Sequence, residues 1–469
     1  MSSSQAPLLP DATRSLARFS SALRYEDIPA AVIAQIKVSL LDSIGCCLFG
    51  MTLPWTRHVL DMVQAEGAAP VASLFGTGRR SSVAGAVLVN ATAGHAFELD
   101  DIHKESILHP GSIALPVAAA IAQARGDVDG RAFLTGIVAG YEIGTRVGNA
   151  ATMSLFFRGF HPQGSSGVFV AAATAARLLD LNAEQTVHAF GTAGSQAGGL
   201  MAAQEGAMVK RLHSGRAAQS GVYAAQLAQR GFTGITDVLE AGYGGYLSTY
   251  SEHPNPARLL EGLGSTWEAG KIGYKPHASV TSIHAALDAL HALMQTHRLR
   301  PDDIARVRVG VSHMTFVHCA WEYKAQGVTA AQMNLFYSLA AIAHDGEAFV
   351  EQYRQDRLAD PALLAFIRRI EAYADPEIDA MGPAFRHAAR VSVTTQAGQQ
   401  HSLEILNRRG SPENPLSAAD VQRKFRAIAG AVLPESRVAQ LIELADAVDR
   451  PAGLAPLLAA LSDARQPAA

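Results

Sequence analysis

Titratable side chains crowd into one stretch of otherwise apolar sequence, His95-Ala96-Phe97-Glu98-Leu99-Asp100-Asp101-Ile102-His103, followed by Glu105 and by His109-Pro110-Gly111-Ser112. Such groups between apolar helix-forming segments are costly to bury unless they are paired or used. Proton transfer by a histidine that a carboxylate orients is the chemistry they suit. Helix capping accounts for Asp100 or Asp101 alone but leaves His109-Pro110 unexplained. Histidine and aspartate are also zinc or iron ligands, so a metal-dependent hydrolase using His95, Asp100 and His109 is an alternative, although the spacing matches no closed ligand pattern.

Three further segments carry similar chemistry. Phe160-His161-Pro162-Gln163-Gly164 opens a small-residue turn into a helix near Val168, where free N–H groups suit an anion and His161 can exchange a proton. Gly194-Ser195-Gln196 and, further on, Lys210-Arg211-Leu212-His213-Ser214-Gly215-Arg216 place basic groups among small residues. That pattern fits carboxylate recognition by charge-assisted hydrogen bonds, with a solvated face as the plainer account. Tyr274-Lys275-Pro276-His277 leads into His284 and Asp288 where the composition changes, and ligand clefts form at such junctions.

The elements that must position these residues are mostly helices. Val32, Ile36, Leu40 and Ile44 recur at helical spacing within 28–48, with Gly50 as a stop. Ala- and Leu-rich patterns predict further helices over 84–97, 113–124, 132–147, 168–179, 184–193 and 216–229. After about Gly270, Val307, Val309 and Val311 alternate with other residues as in a strand, and 391–395 and 401–406 flank a turn as in a hairpin. Helices are predicted between them over 282–296 and 362–373, and again from Ser417 to Leu461. The fold class expected is mainly α. A large helical domain would be formed by both chain ends (1–270 and 411–469), with a smaller α+β lid domain over 271–410.

Composition narrows the function. With 469 residues, 48% hydrophobic and 17% charged, the chain can bury a large core. A net charge of −3, a pI near 6.6 and the lack of a Lys/Arg run argue against a nucleic-acid partner. Three cysteines are too few for an iron–sulfur cluster or a structural zinc site, and no Gly-x-Gly-x-x-Gly loop follows a strand, so no metal or organic cofactor is expected. Met1 to Asp11 lacks a cationic stretch followed by an apolar block, and the apolar runs fall short of a membrane span, so a cytoplasmic protein with no membrane partner is expected. A non-catalytic helical protein is the rival from another class, and the polar groups in all four segments weigh against it.

Taken in order, these segments resemble the MmgE/PrpD family, which includes 2-methylcitrate dehydratase, cis-aconitate decarboxylase and iminodisuccinate epimerase. The resemblance covers nearly the whole chain and rests on His95…Asp100-Asp101…His109-Pro110, Lys210-x-Leu-His213-x-Gly215 and Lys275…His284…Asp288. It implies an active site between a helical domain and a lid, and usually a homodimer. It also implies that His109, His161, Lys210, Lys275 and Tyr337 line the pocket, with the lysines holding carboxylates of a small di- or tricarboxylate. His109 is then the main acid/base and His161 the second, Asp100 or Asp101 orients a histidine, and His213, His103 and Gln196 contribute to substrate binding. Glu98 replaces an Asp common in the family, and Ile102 stands where cis-aconitate decarboxylase has a Thr. The order of expectation is therefore a cofactor-independent hydro-lyase of the 2-methylcitrate or citrate type, then an epimerase or isomerase, then a decarboxylase.

Overall fold

Apolar side chains at helical spacing build the frame. In the computed structural model, which describes residues 8–463, the helix Ala30–Gly50 buries Val32, Ile36, Leu40 and Ile44. It packs on Val83–Gly94, Gly111–Arg125 and Ala418–Gly430, so elements from both ends of the chain share one layer. Gly50 permits the approach to Val83–Gly94, because a Cβ there would collide with the Ala93 carbonyl. At 21 residues this helix is long and apolar enough to cross a membrane, which corrects the expectation that no stretch reaches that length. Its apolar surface is instead buried against protein, and its Asp42 pairs with Lys424 at 2.7 Å.

The remaining helices follow the predicted pattern, with Gly130–Ala151, Gly167–Leu178 and Val209–Gln229 packed on Gly111–Arg125, and Ala183–Gly194 packed on Gly167–Leu178 and on the helix that ends the series, Val209–Gln229. The last of them begins earlier than its apolar pattern does. Lys210, Arg211 and His213 therefore lie on its first turns and not in a preceding loop. The described chain is mainly α.

Beyond His284–His297 the chain forms a four-stranded sheet in the order Ile370–Ala374, Ile304–Val311, Ala389–Thr395, Gln400–Ile405. The hairpin is antiparallel, and the first pair is parallel. The helix predicted over 362–373 is corrected here: it spans only Pro361–Ile367, and Ile370–Ala374 is a strand. Ile370 and Tyr373 are side chains that favour a sheet once an adjacent strand is present.

Apolar side chains segregate into two cores. One joins residues between Ala12 and Tyr274 to Val421–Leu461, and the other gathers Ala278–Val393. Cys47 belongs to the first while Cys46 and Phe49 belong to the second. The acidic segment runs along the same seam, with Ala93 and Leu108 in the first core and Phe97 and Leu99 in the second.

Candidate active site

Between the helices Val83–Gly94 and Gly111–Arg125 the chain is irregular, and Glu98 adopts a left-handed φ of 56°. For a non-glycine residue that costs about 1–3 kcal/mol and persists only where surroundings enforce it. Here ion pairs do so. The buried Glu98 carboxylate meets Lys210, Arg211 at 2.5 Å and Lys275 at 3.1 Å. Lys210 and Arg211 come from the first turn of Val209–Gln229. Lys275 is delivered by the antiparallel pairing of Ile102–His103 with Ile272–Gly273. Burial by itself would push Glu98 up, yet Lys210, Lys275 and Arg211 hold it well below the usual carboxylate range. Burial, opposed by Glu98, pulls Lys210 down to about 8.

His109 is fixed by backbone as well as by charge. Its Nδ1 lies 2.6 Å from the Asp101 carbonyl oxygen, which can only accept, so Nδ1 carries the hydrogen and Nε2 is left bare. The Asp101 carboxylate accepts from the Gly111 N–H at 3.0 Å and from the Tyr141 hydroxyl at 2.6 Å. Burial, reinforced by Asp42 and Asp100, pushes Asp101 up to about 8 against those two hydrogen bonds. Asp100 lies 2.7 Å from His95 Nδ1 and 3.6 Å from His109 Nδ1. Burial would raise it, but His109 and His95 keep it below its ordinary value. Burial also pulls His109 down to about 3, so it is neutral at pH 7.

Gln163 ties three chain segments together, accepting from the His109 N–H at 2.9 Å and donating to the His109 carbonyl and Ser214 Oγ, each at 3.1 Å. Beside it, His161 Nδ1 faces His213 Nδ1 at 2.8 Å, so one ring donates to the other. Burial lowers both, His161 well below its ordinary value and His213 to about 4.

His109, His161, Lys210, Lys275 and Glu98 face one narrow cavity on the seam, whose water-accessible volume is about 70 Å³. Asp100 and Asp101 stand behind the histidines, and His213 stands behind His161. Three expected residues are elsewhere. His103 turns away to Ser106 and Glu268, at 2.8 and 3.0 Å, and lines a neighbouring cavity. Gln196 is exposed and donates to the Thr192 carbonyl at the end of the helix just before it. Tyr337 is buried in the second core and donates to the Gln352 carbonyl at 2.6 Å. In each case a nearer partner within its own layer takes the polar group.

Lys104, Ser282, His318, Arg386 and His387 line the cavity without having been singled out by sequence. Lys104 lay inside the acidic stretch. Arg386-His387 ends a loop just before Ala389–Thr395, where its local pattern is that of a solvated turn.

Ligand atoms of His95, Asp100 and His109 lie within 4.8 Å of one another and could hold a metal ion. The hydrogen bonds from His95 Nδ1 to Asp100 and from His109 Nδ1 to the Asp101 carbonyl orient both rings and leave both Nε2 atoms without a partner. A carboxylate or carbonyl behind the ring orients a proton-transferring histidine and a metal-ligating one alike.

Residues 14–258 match the MmgE/PrpD N-terminal domain and residues 277–450 the MmgE/PrpD C-terminal domain. The chain is 32% identical to the cis-aconitate decarboxylase-like protein oryM of Aspergillus oryzae, over 96% of this chain and 97% of that one. It is 29% identical to the cis-aconitate decarboxylase of Aspergillus terreus over 96% of both, and 26% identical to the human cis-aconitate decarboxylase over 93% of this chain and 92% of that protein. With both domains matched in order around a seam that gathers buried histidines and lysines, the chain is a lyase-type enzyme of the MmgE/PrpD family.

Proposed function

We propose that this enzyme acts on a small tricarboxylate without a cofactor, and that decarboxylation of cis-aconitate is its reaction. One observation carries the reading: Lys104, Lys210, Lys275 and Arg386, from separate chain segments, face a single cavity together with His109, whose Nε2 is bare. Several cations in a water-poor site bind a polyanion and stabilise the enediolate that forms beside a carboxylate. Relatives named as cis-aconitate decarboxylases, matched over more than nine-tenths of both chains, move decarboxylation ahead of the dehydration first expected. Ile102 supplies an apolar wall to the cavity at the position where the resemblance gives cis-aconitate decarboxylase a threonine.

In this reading the bond between the methylene carbon and its carboxylate breaks and carbon dioxide leaves. Its electron pair becomes the new terminal double bond, and the old double bond's electrons move to the carbon beside the other terminal carboxylate. That carbon takes a proton from His109. His109 is neutral in the structure, and the negative charge of a bound tricarboxylate raises its proton affinity so that it enters the reaction as an imidazolium. Residues 271–410 act as a lid whose closure excludes water. Exposed Tyr223, Leu227, Phe232, Ile235 and Tyr243 support pairing of two copies, which light scattering on the purified protein reads directly.

The test is a proton NMR time course in deuterated water with cis-aconitate, citrate and 2-methylcitrate. Itaconate carrying one deuterium on its methylene, with release of carbon dioxide, is the expected result. Loss of water from either hydroxyacid without carbon dioxide would return the hydro-lyase reading.

A further inference from the structure

Arg386 stands apart from the other cations of the cavity. Lys210 and Lys275 pair with Glu98, and Lys104 pairs with Glu413 at 3.1 Å. Arg386 is only 9% exposed, and among the described residues no carboxylate lies within ion-pair distance of it. Its guanidinium is held from behind, donating to the carbonyls of Lys104 and, at 3.2 Å, Pro383, while its Nε has no hydrogen-bond partner. The adjacent His387 is 7% exposed, and its Nδ1 also lacks a partner. Both residues line the cavity that holds His109, Lys210 and Lys275.

A buried guanidinium with no carboxylate paired to it is unfavourable unless an anion supplies one, and its planar fork matches a carboxylate. Burial pulls Arg386 down to about 10, opposed by Glu105 and Glu413 from beyond ion-pair distance, so it is still protonated at pH 7. His387 is held well below its ordinary value by burial and by Arg386, Arg408 and Lys104, so it is neutral and adds a donor without adding charge. We propose that Arg386, backed by His387, is the subsite for one carboxylate of the substrate, contributed from the second core across the seam from Lys210, and that it makes the enzyme select tricarboxylates over dicarboxylates. This rests on the polycarboxylate reading above and names one of its contacts.

The test uses inert ligands, so that it reads binding and not turnover. Calorimetric titration of the full-length protein with tricarballylate, glutarate and methylsuccinate compares one tricarboxylate with the two dicarboxylates made by removing its central or a terminal carboxylate. Arg386→Gln is expected to weaken tricarballylate at least tenfold and to leave one of the dicarboxylates within threefold of wild type. Arg386→Lys, which keeps the charge without the fork, is expected to lose less and carries the same comparison if Arg386→Gln fails to fold. Equal weakening of all three ligands would mean that Arg386 only supports the Lys104 loop, and no weakening of any would mean that no carboxylate sits there; either overturns the subsite. Failure of wild type to bind tricarballylate overturns it too. Preferential loss of tricarballylate in an enzyme that releases no carbon dioxide from cis-aconitate would keep the subsite and remove only the decarboxylase reading.

Discussion

His109 Nδ1 lies 2.6 Å from the main-chain carbonyl of Asp101, whereas the Asp101 carboxylate is turned to Gly111 and Tyr141. A carbonyl cannot take the ring proton, so this contact sets the tautomer and leaves Nε2 as the reactive atom. His109→Asn should fold and lose about 10²–10⁴-fold in turnover, the usual size of general acid–base catalysis. A steady-state assay on the purified variant decides it, and turnover within threefold of wild type removes His109 from the acid/base role.

Because burial holds His109 near 3 when the cavity has no ligand charge beside it, binding a polyanion should draw in a proton. Titration with tricarballylate at pH 7 in buffers of different ionisation enthalpy should show net proton uptake, and His109→Asn should abolish it. Buffer-independent heats in wild type would contradict this.

The same depressed histidines set an acid limit on stability. His109 near 3 and His213 near 4 bind fewer protons folded than unfolded, where histidine titrates near 6.5. Between these values the unfolded chain holds the excess protons, so stability falls as pH drops from about 6.5 towards 4, with a slope of up to about 1.4 kcal/mol per pH unit for the buried His109 and less for the half-buried His213, which solvent screens. Urea unfolding at pH 7, 5.5 and 4.5 should show the decline, and His213→Asn should make it shallower. A flat profile would mean that these rings are protonated in the folded state.

Glu98 is the single carboxylate on which Lys210, Arg211 and Lys275 converge. Glu98→Gln leaves three buried cations without their shared partner, and breaking a buried pair in this way costs about 3–5 kcal/mol. Denaturant unfolding measures the loss. A cost below about 1 kcal/mol would show that water reaches these groups and screens them.

Exhaustive chelation is the simplest check on the His95, Asp100 and His109 cluster. The proposed reaction uses no metal, so activity should survive EDTA. Loss on chelation with recovery on adding zinc or iron would turn the network into a ligand set.

Much of this protein is written locally. The run of Val32, Ile36, Leu40 and Ile44 specifies a helix because neighbours three and four residues apart share its face, whatever surrounds it. Asp100-Asp101 and His109-Pro110-Gly111 are conspicuous for a related reason: ionisable groups in apolar sequence need a partner or a use, and that need is visible without coordinates. Four of the residues expected at the pocket, His109, His161, Lys210 and Lys275, do face one cavity. What sequence leaves open is direction and partnership across the two cores. Tyr337 looked like a pocket residue, yet Gln352, fifteen positions away, takes its hydroxyl. Gln196 is satisfied by the last turn of the helix before it, and residues 370–374 become a strand because Ile304–Val311 lies beside them. Glu98 and Arg386 are read in the opposite sense, since only the meeting of the two cores puts three cations on the first and leaves the second with no carboxylate at ion-pair distance among the described residues. Periodicity and turn chemistry act over a few residues and so are legible in one dimension, whereas the desolvation and pairing of a charge depend on every element that closes around it.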